Sequence, residues 1–115
     1  MPRDKNLFSG NTTMLILKLL AEKDMYGYQI IEELAKRSDN TFCLKTGTLY
    51  PLLHGLESDD MVSSYDDMAD TARIRTYYHL TEKGKGLLKR KQTEWEAYTG
   101  AVSRVLGGSA SYVYA

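Results

Sequence analysis

The sequence predicts one mainly helical domain with a small two-stranded antiparallel hairpin and a long C-terminal helix. Three patterns point to it. Leu49, Leu52, Leu53 and Leu56 recur at the spacing of one helix face, the run Arg73 to Leu80 alternates as a half-buried strand does, and a long charged stretch follows Thr81. With 115 residues, 43% of them apolar, the chain is long enough for one core and too short for two.

Met14, Ile16, Leu17, Leu19 and Leu20 follow a run of Asn and Thr suited to capping, so a first helix is expected over residues 11–21. A polar turn containing Gly27 separates it from a second helix, about Gly27 to Arg37, carrying Ile30, Ile31, Leu34 and Ala35. A polar connection at Ser38 to Asn40 leads to the third helix. Its expected cap is Gly47 or Thr48, which puts Pro51 in the first turn, where the missing N–H costs little. Met61 to Tyr65 reads as a first strand and Asp66 to Ala72 as a polar connection. In the second strand Ile74, Thr76, Tyr78 and Leu80 share one face, and Arg73, Arg75, Tyr77 and His79 the other. Tyr78 and Leu80 are expected in the core. Thr81 then caps a fourth helix reaching about Leu106, in which Gly84, Gly86 and Gly100 each cost up to about 1 kcal/mol relative to alanine.

Composition removes several functions. The lone Cys43 cannot form an intramolecular disulfide, and beside Phe42 and Leu44 it reads as a core residue. No opening segment has the character of an export signal, and Met14 to Ala21 is too short and too interrupted to span a membrane, so a cytoplasmic location is expected. Nucleotide-binding glycine strings and metalloprotease strings do not occur, and His54 and His79 have no second ligand at metal spacing. Neither an enzyme nor a cofactor or metal site is expected.

The 15 basic and 15 acidic residues cancel overall but are polarised along the chain. Glu57 to Asp70 is acidic without a Lys or Arg, and Arg73 to Lys91 is basic apart from Glu82. Three helices followed by a hairpin is the order of a winged helix-turn-helix, whose third helix enters the DNA major groove. On that helix and its entrance Lys45, Thr46, Thr48, Tyr50 and His54 are the candidate DNA-binding residues, joined from the hairpin by Arg73, Arg75 and Tyr77. The alternative is a dimeric winged-helix protein-interaction module without DNA binding. Residue by residue, the plainer reading is that the polar residues cap and solvate the helix and that Arg73 and Arg75 neutralise the acidic run.

Four strings then carry a family resemblance: Met25-Tyr26-Gly27-Tyr28-Gln29-Ile30, Thr48-Leu49-Tyr50-Pro51-Leu52-Leu53, Leu56-Glu57, and Tyr77-Tyr78-His79-Leu80-Thr81-Glu82-Lys83-Gly84. In this order they resemble the PadR family of transcriptional regulators, in its short form with a single C-terminal dimerisation helix. The resemblance implies a homodimeric repressor acting on double-stranded DNA at a palindromic operator. The chain departs from the family pattern at Asp59-Asp60-Met61, where a glycine is common, and at Ala72-Arg73, where Gly-Arg is frequent.

In the fourth helix Leu88, Trp95 and Val102 recur every seven residues, as do Lys91, Tyr98 and Val105, which forms an a/d seam. Leu88, Trp95, Tyr98, Val102 and Val105 are therefore the candidate dimer interface. Trp95 also matches, by resemblance, the tryptophan with which multidrug-responsive relatives bind flat aromatic compounds between subunits, so a small aromatic effector is a further expected partner. The expected domains are residues 1–80 for DNA binding, 81–107 for dimerisation, and a disordered tail at 108–115.

Overall fold

A computed structural model describes residues 5–70 and 73–107. The elements in chain order are α1 (Lys5–Glu22), β1 (Met25–Tyr26), α2 (Gly27–Arg37), α3 (Thr46–Ser58), β2 (Val62–Asp70), β3 (Arg73–Leu80) and α4 (Glu82–Leu106). The expected mainly helical architecture, with its hairpin and long last helix, is what forms. The tail at 108–115 and the departure at Ala72 lie outside the described residues.

The core is built by one stripe from each helix and by the inner face of the sheet. Ile16 and Leu17 of α1, Ile30 of α2, Leu49 and Leu53 of α3, and Met25, Val62, Tyr78 and Leu80 of the strands are all essentially inaccessible to water. Leu88 closes the cluster from α4. Each large aliphatic side chain buried in this way contributes about 1.5–3 kcal/mol relative to exposure.

Three boundaries differ from expectation, and one strand is added. Helix α1 begins at Lys5, so the Asn and Thr run lies inside it, and Thr12 is buried. Packing of α1 against α4 overrides the weak helix preference of those residues. Helix α3 starts at Thr46 with Lys45 as its cap, which makes Pro51 the sixth helical residue rather than a first-turn one. Its missing N–H removes only the bond to the carbonyl of Gly47, which is exposed and open to water. Strand β2 runs on to Asp70 instead of ending at Tyr65, because the acidic stretch finds partners across the hairpin: Asp66 lies opposite Thr76, whose hydroxyl donates to its carboxylate at 2.9 Å. Finally, Met25 and Tyr26 pair with Tyr78 and Tyr77, so the hairpin becomes a three-stranded antiparallel sheet in the order β1-β3-β2.

The alternation of β3 holds only at its base. Tyr78 and Leu80 are buried as expected, but Ile74 on the same face is 69% exposed, because the outer half of the hairpin extends past the helices. Cys43 is likewise exposed and not a core residue. It lies in the connection between α2 and α3, where its thiol meets the carbonyl of Asn40 at 3.2 Å.

Two junctions fix the hairpin to α4. The Thr81 hydroxyl accepts from the N–H of Gly84 at 3.0 Å and lies 2.6 Å from the carbonyl of Asp60, to which it donates. Asp60 itself has φ of 62°, the left-handed conformation that glycine favours and aspartate tolerates. The departure from the family pattern noted at Asp59-Asp60-Met61 thus falls on a position whose backbone suits glycine.

Candidate nucleic-acid interface

Helix α3 separates its residues cleanly. Leu49, Leu53 and Leu56 are buried, while Lys45, Thr46, Thr48 and His54 are exposed on the helix and its entrance. The cap residue Lys45 supplies no side-chain hydrogen bond; its carbonyl accepts from the Thr48 N–H at 3.0 Å, so of the first turn the N–H groups of Thr46 and Gly47 are the ones without a side-chain cap. Tyr50 is placed differently from its neighbours. It is half-buried, and its phenol packs so closely on Gly27 of α2 that a β-carbon at position 27 would collide with it. The glycine thus lets the Tyr50 ring lie directly against the start of α2. The Tyr50 ring also lies 6.3 Å from His54 in a tilted arrangement.

The connection between α2 and α3 is a polar turn, as expected. Asp39 and Asn40 take left-handed conformations with φ of 53° and 64°. The Ser38 hydroxyl donates to the carbonyl of Leu34 at 2.7 Å and accepts from the N–H of Phe42 at 2.9 Å. These bonds satisfy the end of α2 and set the direction of the chain entering α3.

The outer face of the sheet carries a tyrosine cluster. Tyr77 is half-buried, edge-on to Tyr26 at 5.3 Å and stacked on Tyr65 at 5.6 Å, as their register across the three strands requires. Below them Asp24 joins the edge strand β2 and the central strand β3 to the corner after α1. It accepts from the Tyr65 hydroxyl at 2.6 Å and meets Nδ1 of His79 at 2.9 Å. Burial works against the Asp24 carboxylate, yet the hydrogen bonds from Tyr65 and His79 outweigh it and hold the carboxyl below its ordinary range. The same bond to Asp24 pushes the Tyr65 phenol up to about 12.

Arg73 is exposed, and Arg75 is half-buried. Arg75 stands opposite Asp67 in the register, but its guanidinium turns toward the rings of Tyr26 and Tyr28, 5.0 and 5.6 Å from their centroids. The polarity seen along the chain is therefore folded together at the hairpin, where β2 and β3 set acidic and basic residues side by side. Sequence reasoning singled out neither Asp24, Tyr65 nor Tyr28. The only signal was that Tyr28 falls within the string Met25 to Ile30, and a two-residue strand leaves no alternation to read.

On α4 the seven-residue seam divides in two. Leu88 is buried in the protomer's own core, whereas Trp95 and Tyr98 are exposed, with rings 6.1 Å apart, and Val105 and Leu106 are 86% and 79% exposed. Tyr98, Ala101, Val102, Val105 and Leu106 line a shallow apolar groove. Among the described residues no cluster of His, Cys, Asp or Glu is placed to hold a metal, and no helix is long and apolar enough to cross a membrane.

A helix pair with a short polar turn, followed by a strand pair that leans beside the second helix and a long helix with an uncovered apolar end, defines a winged helix-turn-helix protein. A model of the PadR-like family of transcriptional regulators matches residues 16–90. The chain is 30% identical over 95 residues to the transcriptional regulator Rv3488 of Mycobacterium tuberculosis, covering 83% of this chain and 82% of that protein. A PadR family transcription regulator from Clostridium difficile R20291 superposes with a TM-score of 0.69 at 35% identity, over 84% of this chain and 98% of that one. A transcriptional regulator from Clostridium thermocellum reaches a TM-score of 0.78 at 31% identity, over 86% and 96%. The chain belongs to the PadR-like family of transcriptional regulators, which are not enzymes.

Proposed function

We propose that this regulator is a cytoplasmic homodimer that binds a palindromic operator in double-stranded DNA and represses transcription. The observation that carries the reading is the division of α3, with three leucines inward and Lys45, Thr46, Thr48 and His54 outward beside a first turn without a side-chain cap. The hydroxyls and the imidazole suit base edges, and Lys45 with the N–H groups of Thr46 and Gly47 suits phosphate. Arg73 and Arg75 extend the phosphate contacts along the hairpin, while Tyr50 and Tyr77 act from half-buried positions at its margin.

Residues 81–107 serve dimerisation and residues 1–80 DNA binding. Trp95, Tyr98, Val102 and Val105 form the interface, continued from Leu88 at its root in the protomer core. This reading is supported by the exposure of so much apolar surface on one helix end, which a second copy covers most simply. A dimer also suits a chain of zero net charge, because it doubles the phosphate contacts and sets two α3 helices about one DNA turn apart. Trp95 and Tyr98 offer a platform for a small aromatic effector between the subunits.

The test is titration of the purified protein with DNA from upstream of its own coding sequence, in rising salt and with random DNA as competitor. Saturable binding that survives the competitor and weakens linearly in log salt supports the reading. A protein that binds no duplex even at low salt refutes it in favour of a protein-interaction module.

A further inference from the structure

We propose that Tyr28 is a positioning residue that holds the Arg75 guanidinium, together with Tyr26, in place for contact with a DNA phosphate; the inference rests on the function proposed above. Three observations converge on it. The guanidinium lies over both rings, one supplied by β1 and the other by the first turn of α2. Its Nε is enclosed and has no hydrogen-bond partner among the described residues. The carboxylate nearest in register, Asp67, accepts from the N–H of Met68 at 2.8 Å.

What matters is the kind of partner. An arginine held by a carboxylate is oriented but neutralised, and it brings little attraction to a phosphate. Aromatic faces hold the same cation through their quadrupole and cancel none of its charge. The Nη donors stay available for an anion, and the rotamer freedom of a long side chain is already restricted before DNA arrives. Tyr28 is 51% exposed, so its ring acts at the surface, and its loss leaves the core intact.

The experiment measures binding of the full chain to a mixed-sequence duplex at several salt concentrations for wild type, Arg75→Ala, Tyr28→Ala, Tyr28→Phe and the double alanine variant. Arg75→Ala, which removes one phosphate contact from each protomer of the dimer, is expected to weaken binding at least about tenfold and to lower the salt slope by about two. Tyr28→Ala should weaken it roughly threefold with the slope nearly kept, since the charge remains but its orientation is lost. Tyr28→Phe should bind as wild type does, because the ring and not the hydroxyl holds the cation. In the Arg75→Ala background the Tyr28→Ala change should have no further effect. An equal loss in both backgrounds, or a loss in Tyr28→Phe, makes Tyr28 a direct DNA contact and overturns the inference. Unchanged binding of Tyr28→Ala, or of Arg75→Ala, overturns it while leaving DNA binding itself standing. Failure of the wild type to bind any duplex removes both.

Discussion

Gly84 and Gly86 stand two residues apart in the same helix, and the structure assigns opposite signs to their replacement by alanine. A β-carbon on Gly84 would collide with the carbonyl oxygen of Met61 and lie 2.6 Å from a methyl of Leu80. The leucine tip can turn, but the carbonyl is backbone. It accepts from the Thr81 N–H at 3.1 Å and lies 2.9 Å from the Thr81 hydroxyl, so moving it disturbs the start of α4. Overpacking of this kind costs about 1–3 kcal/mol, and each hydrogen bond weakened adds about 1 kcal/mol. Against that stands the better helix propensity of alanine, about 1 kcal/mol. The net for Gly84→Ala is a loss of about 2–3 kcal/mol, or a Tm lower by roughly 8–12 °C. Nothing lies within 4 Å of a β-carbon on Gly86, so Gly86→Ala keeps the propensity gain and should raise Tm by about 4 °C. Thermal unfolding followed by circular dichroism at one fixed protein concentration measures both, the fixed concentration being needed because the proposed dimer would make Tm depend on it. A Gly84→Ala variant as stable as wild type, or two shifts of the same sign, would refute the close approach of α4 to the α3–β2 turn.

Phenolate absorbance should show Tyr65 titrating late, near 12, with Tyr78 also raised above the ordinary range by its burial, and Asp24→Asn should lower the Tyr65 value without moving Tyr78. Because the folded-state value of Tyr65 is raised, its bond to Asp24 contributes stability below the ordinary phenol range near 10, and that contribution disappears as pH climbs through about 12. The Asp24 carboxyl is depressed, so its share is present above the usual aspartate value of about 4 and is lost as pH falls through the lower folded value; acid unfolding of Asp24→Asn should lack that component. Asp60→Gly should be neutral or stabilising by up to about 1 kcal/mol, whereas Asp60→Ala should cost about 1 kcal/mol, and equal melting temperatures for the two would contradict the left-handed backbone there. Val105→Asp should convert the proposed dimer to monomer in sedimentation without altering the helical content of the protomer, and an unchanged sedimentation coefficient would overturn the proposed interface.

What could be read from the residues follows from how each signal is encoded. Leu49 to Leu56 and Arg73 to Leu80 span two helical turns and a full strand, so their periods are visible and their burial at Leu53 and Leu80 follows. Thr81 is legible as a cap because its hydroxyl acts on a residue three positions on. Long-range pairing has no such local trace. Nothing near Met25 announces a strand whose partner is Tyr78, nor does Asp24 announce that it meets both Tyr65 and His79. Cys43 misleads for a related reason: apolar neighbours on either side say nothing about a side chain in an irregular connection. At the candidate interface the residue types on α3 were readable one by one, but the half-burial of Tyr50 depends on Gly27, and the orientation of Arg75 on two rings far away in sequence.

The short strand β1 also bears on the order of folding. β2 and β3 are neighbours along the chain, so their zipper closes a small loop and is entropically cheap, while Met25 must find Tyr78 across almost half the chain. The last strand into the sheet is therefore the first in sequence. In hydrogen exchange the amides near Tyr78 should report the global opening, and those near Ile74, beyond the core, only local fraying of the hairpin.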